Sequence, residues 1–132
     1  MKNFSLNRNE RVKRKKDFDK VYSSGKIILS SDLSLKIHYY INKNAESNGV
    51  KIAASISKKS GKAVWRNRVK RLIKESYRLN KRLLAEKATE KKVEIFLIFS
   101  PYKLTEKKNK KLYLTDVISG VIDLINKVAD NI

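Results

Sequence analysis

The eight arginines of this 132-residue chain fall in two groups, Arg8, Arg11 and Arg14, then Arg66, Arg68, Arg71, Arg78 and Arg82. The other basic residues are lysines spread from end to end. In a chain so rich in Lys, Ile and Asn, much of the lysine reflects composition. Arginine confined to two stretches is placed for its chemistry. A guanidinium presents a planar fork of donors that grips phosphate bidentately, where an ammonium is a point charge. No other constellation competes. One histidine and no cysteine leave nothing for zinc, and there is no Ser-His-Asp set or carboxylate pair. Asp17 and Asp19 sit among lysines and read as local charge balance, and His38 is alone on the polar side of a strand. No catalytic residue, no metal site, no protein-bound cofactor and no small-molecule substrate are expected.

The second group lies in Lys62-Ala63-Val64-Trp65-Arg66-Asn67-Arg68-Val69-Lys70-Arg71, within a pattern that predicts a long helix from about Ala63 to Glu86. At about 100° per residue, Val69, Leu72, Ile73, Ser76, Tyr77, Asn80, Leu83 and Leu84 share one side. Arg66, Asn67, Lys70, Arg71, Lys74, Arg78 and Lys81 share an adjacent arc, with Arg68 on the opposite flank of the apolar stripe. Cations one turn apart are spaced by ~5.4 Å, on the scale of phosphates along a strand. A merely solvated face would carry Glu partners at i±4, and only Glu75 is within reach. Trp65 is expected to cover the helix start. The preceding Ser57-Lys58-Lys59-Ser60-Gly61 loop has free backbone N–H groups that add a further anion site.

The elements that must hold this helix are legible in outline. Asp17 to Ser24 predicts a short helix with Phe18, Val21 and Tyr22 on one face, stopped at Gly25. Leu33 to Ile41 alternates as a half-buried strand, Ile52 to Ser57 is a second strand, and Val93 to Phe99 is apolar on both faces like a central one. Lys103 to Lys111 is a basic loop, and a final amphipathic helix runs from Leu114 to Val128. The order is α+β with a βαβ unit, for which generic chirality is right-handed. A net charge of +19, 41% hydrophobic residues, 4 glycines and 1 proline describe one folded domain, residues 1–132, with a polyanionic partner. Nucleic acid fits better than a membrane, because no apolar run approaches ~20 residues. No signal-peptide pattern follows Met1, and the lack of cysteine fits the cytoplasm.

The run Ile56-Ser57-Lys58-Lys59-Ser60-Gly61-Lys62-Ala63-Val64-Trp65-Arg66-Asn67-Arg68-Val69-Lys70-Arg71-Leu72-Ile73-Lys74-Glu75 resembles the signature of the bacterial ribonuclease P protein component. That signature is a strand ending in Ser-Lys-Lys, then Gly-x-Ala-Val-x-Arg-Asn-Arg-x-Lys-Arg and a basic residue before Glu. Arg11-Val12-Lys13 followed by Asp17-Phe18, Val21-Tyr22 and Gly25 is similar to the family's N-terminal pattern. The likeness spans roughly residues 8 to 125.

The resemblance implies an α-β sandwich like the second domain of ribosomal protein S5. It would have a mixed sheet of about four strands, three helices and a left-handed βαβ crossover in place of the generic hand. It implies the protein subunit of a ribonucleoprotein that removes the 5′ leader of precursor tRNA. The RNA subunit performs the hydrolysis with Mg²⁺, and the protein binds that RNA and the leader. Carried over by position, Arg66, Asn67, Arg68, Lys70, Arg71 and Lys74 dock on the catalytic RNA. Phe18 and Tyr22 line the leader cleft, where aromatic faces stack on any base; core packing is the competing role for both rings. Lys36, which stands where the family often has an aromatic, completes the cleft with Ser57, Lys58 and Lys59 as phosphate contacts. Arg11, Lys13, Arg14 and Lys62 are further basic contacts, with residues 1–14 expected to be a flexible basic segment. Two other classes stay open at this stage. A structural ribosomal protein shares the size and charge, and a DNA-binding regulator would lay the long helix in a major groove.

Overall fold

Four strands form one mixed sheet, in the order β1-β2-β4-β3, in the computed structural model, which describes residues 10–43 and 46–132. The strands are β1 (Lys26–Leu29), β2 (Leu35–Asn42), β3 (Gly49–Ala54) and β4 (Glu94–Pro101). β1 pairs antiparallel with β2, and β2 antiparallel with β4. β3 and β4 are parallel neighbours, so the chain between them is the expected crossover. Alternation decides the faces. Leu35, Ile37 and Tyr39 of β2 are buried on one side with Val50, Ile52, Ile95, Leu97 and Phe99. Phe96, Ile98 and Ala53 point to the other side, so β4 is buried on both, as its apolar run predicts.

Among the described residues there are four α-helices, α1 (Lys15–Ser24), α2 (Ala63–Asn80), α3 (Arg82–Lys91) and α4 (Leu114–Asp130). The expected total was three, because α2 and α3 read as one helix. Their break at Lys81 has a geometric cause. A straight helix over both would be ~43 Å long, whereas an eight-residue strand spans only ~27 Å. After the break, Leu84 and Ala88 of α3 lie fully buried in the same core. Asn80 Nδ2 donates to the Ser76 carbonyl at 2.8 Å as α2 ends. α2, α3 and α4 cover the larger core, and α4 seals it with Val117, Val121, Leu124, Ile125 and Val128. α1 covers the opposite face together with Val12 just before it, and Val21 is fully buried there.

Two strand boundaries differ from expectation. β1 is an added edge strand, and Leu33 belongs to the β1–β2 turn, not to a strand. Its φ of 63° is a left-handed value unusual for leucine. Asp32 holds the turn, its Oδ1 accepting from the Ser34 N–H at 2.9 Å and the Ser30 hydroxyl at 2.7 Å. The second strand is shifted toward the N-terminus, to 49–54. Gly25 is required where α1 meets the sheet, because a Cβ there would lie 2.4 Å from the carbonyl oxygens of both Tyr39 and Val21.

Candidate nucleic-acid interface

α2 buries Trp65, Val69, Ile73, Ser76 and Tyr77 against the sheet and α4. Its neighbouring arc is exposed at Asn67, Lys70 and Arg71 and half-buried at Arg66 and Lys74. Among the described residues no carboxylate pairs with Arg66, Lys70, Arg71 or Lys74. The acids nearby are otherwise engaged: Glu75 with Arg78, and Glu10 with Lys81 at 2.9 Å. The seven-residue arc of the sequence thus reduces to a shorter unpaired ladder. Arg66 Nε is buried without a protein acceptor. The Lys74 ammonium is held below the usual lysine range by burial, then by Arg11 and Lys70. Arg11 therefore belongs to this field. It bridges to Ile52 at the β3 edge, where the Val12 N–H donates to the Ile52 carbonyl at 2.8 Å. Lys13 and Arg14 follow, both exposed. Arg8 lies outside the described residues. Cations crowded this way repel one another, and an anion relieves them.

Arg68 stands apart. Its Nε donates to the Leu112 carbonyl at 2.9 Å, and Nη2 donates to the same oxygen. This contact is one of three that pin residues 102–113, the strap between β4 and α4, along the first turns of α2. Trp65 Nε1 donates to the Asn109 carbonyl at 2.9 Å, and the Lys62 N–H donates to Glu106 Oε1 at 2.8 Å. The last contact corrects the expected free anion site at the helix start, because the chain's own carboxylate fills it. The fit is close: a Cβ on Gly61 would come within 2.8 Å of both Glu106 and Trp65. Lys62 stays exposed in its side chain, as do Ser57, Lys58 and Lys59. Those three form the turn before α2, where Ser57 Oγ accepts from the Lys59 N–H at 3.2 Å.

The leader cleft is expected on the α1 side of the sheet. Register lays out three rows: Lys36 beside Ser100, His38 beside Ile98 and Ala53, and Tyr40 beside Phe96 and Lys51. Phe18 is half-buried and packs with Val12, Val21, Ala53, Phe96 and Ile98, so part of its ring is core. Tyr22 is 47% exposed and meets His38 edge-on, with centroids 4.9 Å apart. His38, which reads from the sequence as alone on the polar side of a strand, has Tyr22 against it. Its Nδ1 is buried without a protein partner, and burial, then Lys36, holds the imidazole below its usual range. Its meaning rests on Tyr22 overhead, a contact that no local pattern announces. Lys20 Nζ stands 5.5 Å from the centre of the Tyr40 ring. Lys36 is half-buried at the end of the sheet where the Ser55 N–H bonds to Phe99, the end from which the Ser57–Lys59 turn leaves. The Ser57–Lys59 turn thus leads from the Lys36 end of the sheet into the start of α2.

Fold and surface together define a basic α-β sandwich with an unpaired cationic arc on α2 and exposed or half-exposed aromatic rings under α1. The sequence model of the Ribonuclease P family matches residues 6–117, and the chain belongs to that family. A ribonuclease P protein component from Clostridioides difficile is 49% identical over 75 residues, 57% of this chain and 61% of that relative. Another from Dictyoglomus thermophilum is 39% identical over 98 residues, 74% of this chain and 73% of the relative. The match thus spans about three fifths of the length of the Clostridioides relative. The fold is that of the RNase P protein of Thermotoga maritima, with a TM-score of 0.70 at 19% identity, covering 89% of this chain and 96% of that one. For the Staphylococcus aureus RNase P protein the values are 0.67, 21%, 90% and 94%.

Proposed function

We propose that this chain is the protein subunit of a ribonuclease P ribonucleoprotein, a single RNA-binding domain that assists RNA-catalysed, Mg²⁺-dependent removal of the 5′ leader from precursor tRNA in the cytoplasm. The observation that carries this reading is the ladder of Arg66, Lys70, Arg71 and Lys74 on a helix fixed to the sheet, with Arg11 beside it and no carboxylate partner among the described residues. Such a row suits backbone phosphates of a folded RNA, and Asn67 on the same arc can donate or accept at a base edge or 2′-hydroxyl. Arg68 acts mainly by holding the strap, with its remaining N–H groups available to RNA. Lys62, Lys13 and Arg14 add positive charge at the two ends of the surface.

The leader, in this reading, lies in the cleft under α1. Tyr22 offers an exposed ring, Phe18 a partly exposed one, and stacking accepts any base. Lys36, Ser57, Lys58 and Lys59 mark the path of the backbone toward the start of α2. Among the described residues no group of three or more His, Cys, Asp or Glu comes together to hold a metal. In this reading the Mg²⁺ of the reaction is held by the RNA. No described helix is long and apolar enough to cross a membrane. The test is reconstitution. Purified protein, the catalytic RNA and a precursor tRNA with a 5′ leader are mixed at low Mg²⁺, where stimulated leader removal is expected. Absence of stimulation at every salt concentration refutes the proposal.

A further inference from the structure

The strap carries a regularity that anchoring alone does not explain. Its contacts with α2 fall at Glu106, Asn109 and Leu112, every third residue, meeting Lys62, Trp65 and Arg68. The residues between the anchors are Lys107, Lys108, Lys110 and Lys111, and all four are exposed. The strap's one acid, Glu106, is turned in to the helix start, its carboxylate on the Lys62 N–H and its own N–H on the Ser60 carbonyl at 2.8 Å. Between the anchors the exposed side chains are therefore all cationic, and among the described residues no carboxylate pairs with them. Leu104 and Leu112 are buried at 4% and 2% exposure, so this face is held to the fold at both ends.

Its position matters as much as its charge. The strap leaves the end of β4 where the Ser57–Lys59 turn and the start of α2 also lie. It then runs beside α2 on the flank of Trp65 and Arg68, opposite the ladder. Val64, 83% exposed, lies on the helix crest between the two rows of cations. A phosphate strand lying along the first turns of α2 would have Arg66, Lys70 and Lys74 on one side and the strap lysines on the other. Lysine suits contacts that add affinity without reading sequence.

We infer that the strap is a second RNA-contacting ridge, whose Lys107, Lys108, Lys110 and Lys111 bind backbone phosphates of the same folded RNA that α2 engages. This rests on the proposed function, and the experiment separates the two. Full-length protein is titrated with the catalytic RNA over a range of salt. The wild type is compared with a variant carrying Lys→Gln at 107, 108, 110 and 111, and with a control carrying Lys→Gln at 26, 43, 91 and 92. The control loses the same charge from exposed sites at the other end of the sheet. Each phosphate contact contributes about 0.7–0.9 to the slope of log K against log salt. The strap variant should lose about 2.8–3.6 of that slope and bind about tenfold or more weakly at moderate salt, with the control changing by less than 1. Equal losses in the two variants would reduce the strap to bulk charge and overturn the inference, as would a strap variant that binds like wild type. Loss of slope in the Arg66→Ala/Arg71→Ala variant with no strap effect would leave the proposed function standing alone. A wild type that does not bind the RNA removes both. Thermal unfolding checks that each variant is folded. The pairs Lys107/Lys108→Gln and Lys110/Lys111→Gln, each expected to lose about half, serve if the fourfold variant is not.

Discussion

Glu106 should oppose RNA binding while supporting the fold, and this division can be measured. Its carboxylate accepts from the Lys62 N–H at 2.8 Å, at the N-terminus of an 18-residue helix. A hydrogen bond to a charged acceptor contributes about 1.5–3 kcal/mol when well buried, and the helix-end charge about 0.3–1 kcal/mol. Glu106 is only half-buried, so Glu106→Ala should cost about 1–2 kcal/mol, which for a domain of this size lowers Tm by roughly 3–8 °C. Glu106→Gln keeps an acceptor and removes only charge, so it should cost about half as much. The RNA arm uses the Gln variant, because Ala also loosens the strap. A phosphate ~6–10 Å from the carboxylate in a water-like dielectric is repelled by about 0.4–0.7 kcal/mol, so at low salt Glu106→Gln should bind the catalytic RNA about two- to threefold more tightly. Calorimetric unfolding and filter binding read the two effects. An unchanged Tm in Glu106→Ala would refute the clasp. A folded Glu106→Gln protein that binds RNA more weakly would refute the opposition between the two roles.

Further outcomes are expected elsewhere. Arg66→Ala with Arg71→Ala should flatten the salt dependence of RNA binding by about 1 per lost phosphate contact, measured as the slope of log K against log salt; an unchanged slope means the ladder faces only solvent. Tyr22→Ala should weaken binding of leader-bearing precursor tRNA by about 1–3 kcal/mol with little change in Tm, whereas Phe18→Ala, removing a ring that packs in the smaller core, should lower both. Competition between precursor and mature tRNA reads the leader share, and equal affinities in the wild type would remove the cleft from the reading. His38 is held below its usual range by burial, then Lys36, so its contribution to stability is present above the ordinary imidazole pKa and is lost as pH falls through the lowered folded value. Between about pH 7.5 and 5.5 the wild type should therefore lose more Tm than His38→Phe, and parallel curves would show that this ring does not couple to folding.

The parts of the molecule that were legible in advance are those written in local periodicity. Val69, Ile73 and Tyr77 recur at helical spacing, so the buried side of α2 and its cationic neighbour could be placed from sequence. The double-sided burial of β4 followed from its apolar run, Val93 to Phe99, interrupted only by Glu94. The α+β class followed from the order of elements. What could not be read depends on distance or size. β1 has only four residues, too few for alternation to speak. No Gly or Pro marks the break at Lys81, because the extent of the sheet sets it. Arg68 and Glu106 change meaning through partners 44 residues away. Leu33 looked like a strand residue and is a turn residue, because Asp32 organises the backbone around it.

The sheet order also constrains when the molecule can form. β4 is the last described strand in the chain but lies between β2 and β3, and among the described residues β3 has no other strand beside it, only the single bridge to Arg11. Until Glu94–Pro101 leaves the ribosome, the β1–β2 hairpin and β3 share no edge, and α2 has no floor to lie on. Such late, non-local closure is slow and leaves apolar surface open in the meantime. A nascent chain therefore carries its arginines long before it owns a rigid shape to present them, and a truncation ahead of Glu94 yields a sticky polycation in place of a binder with a defined grip.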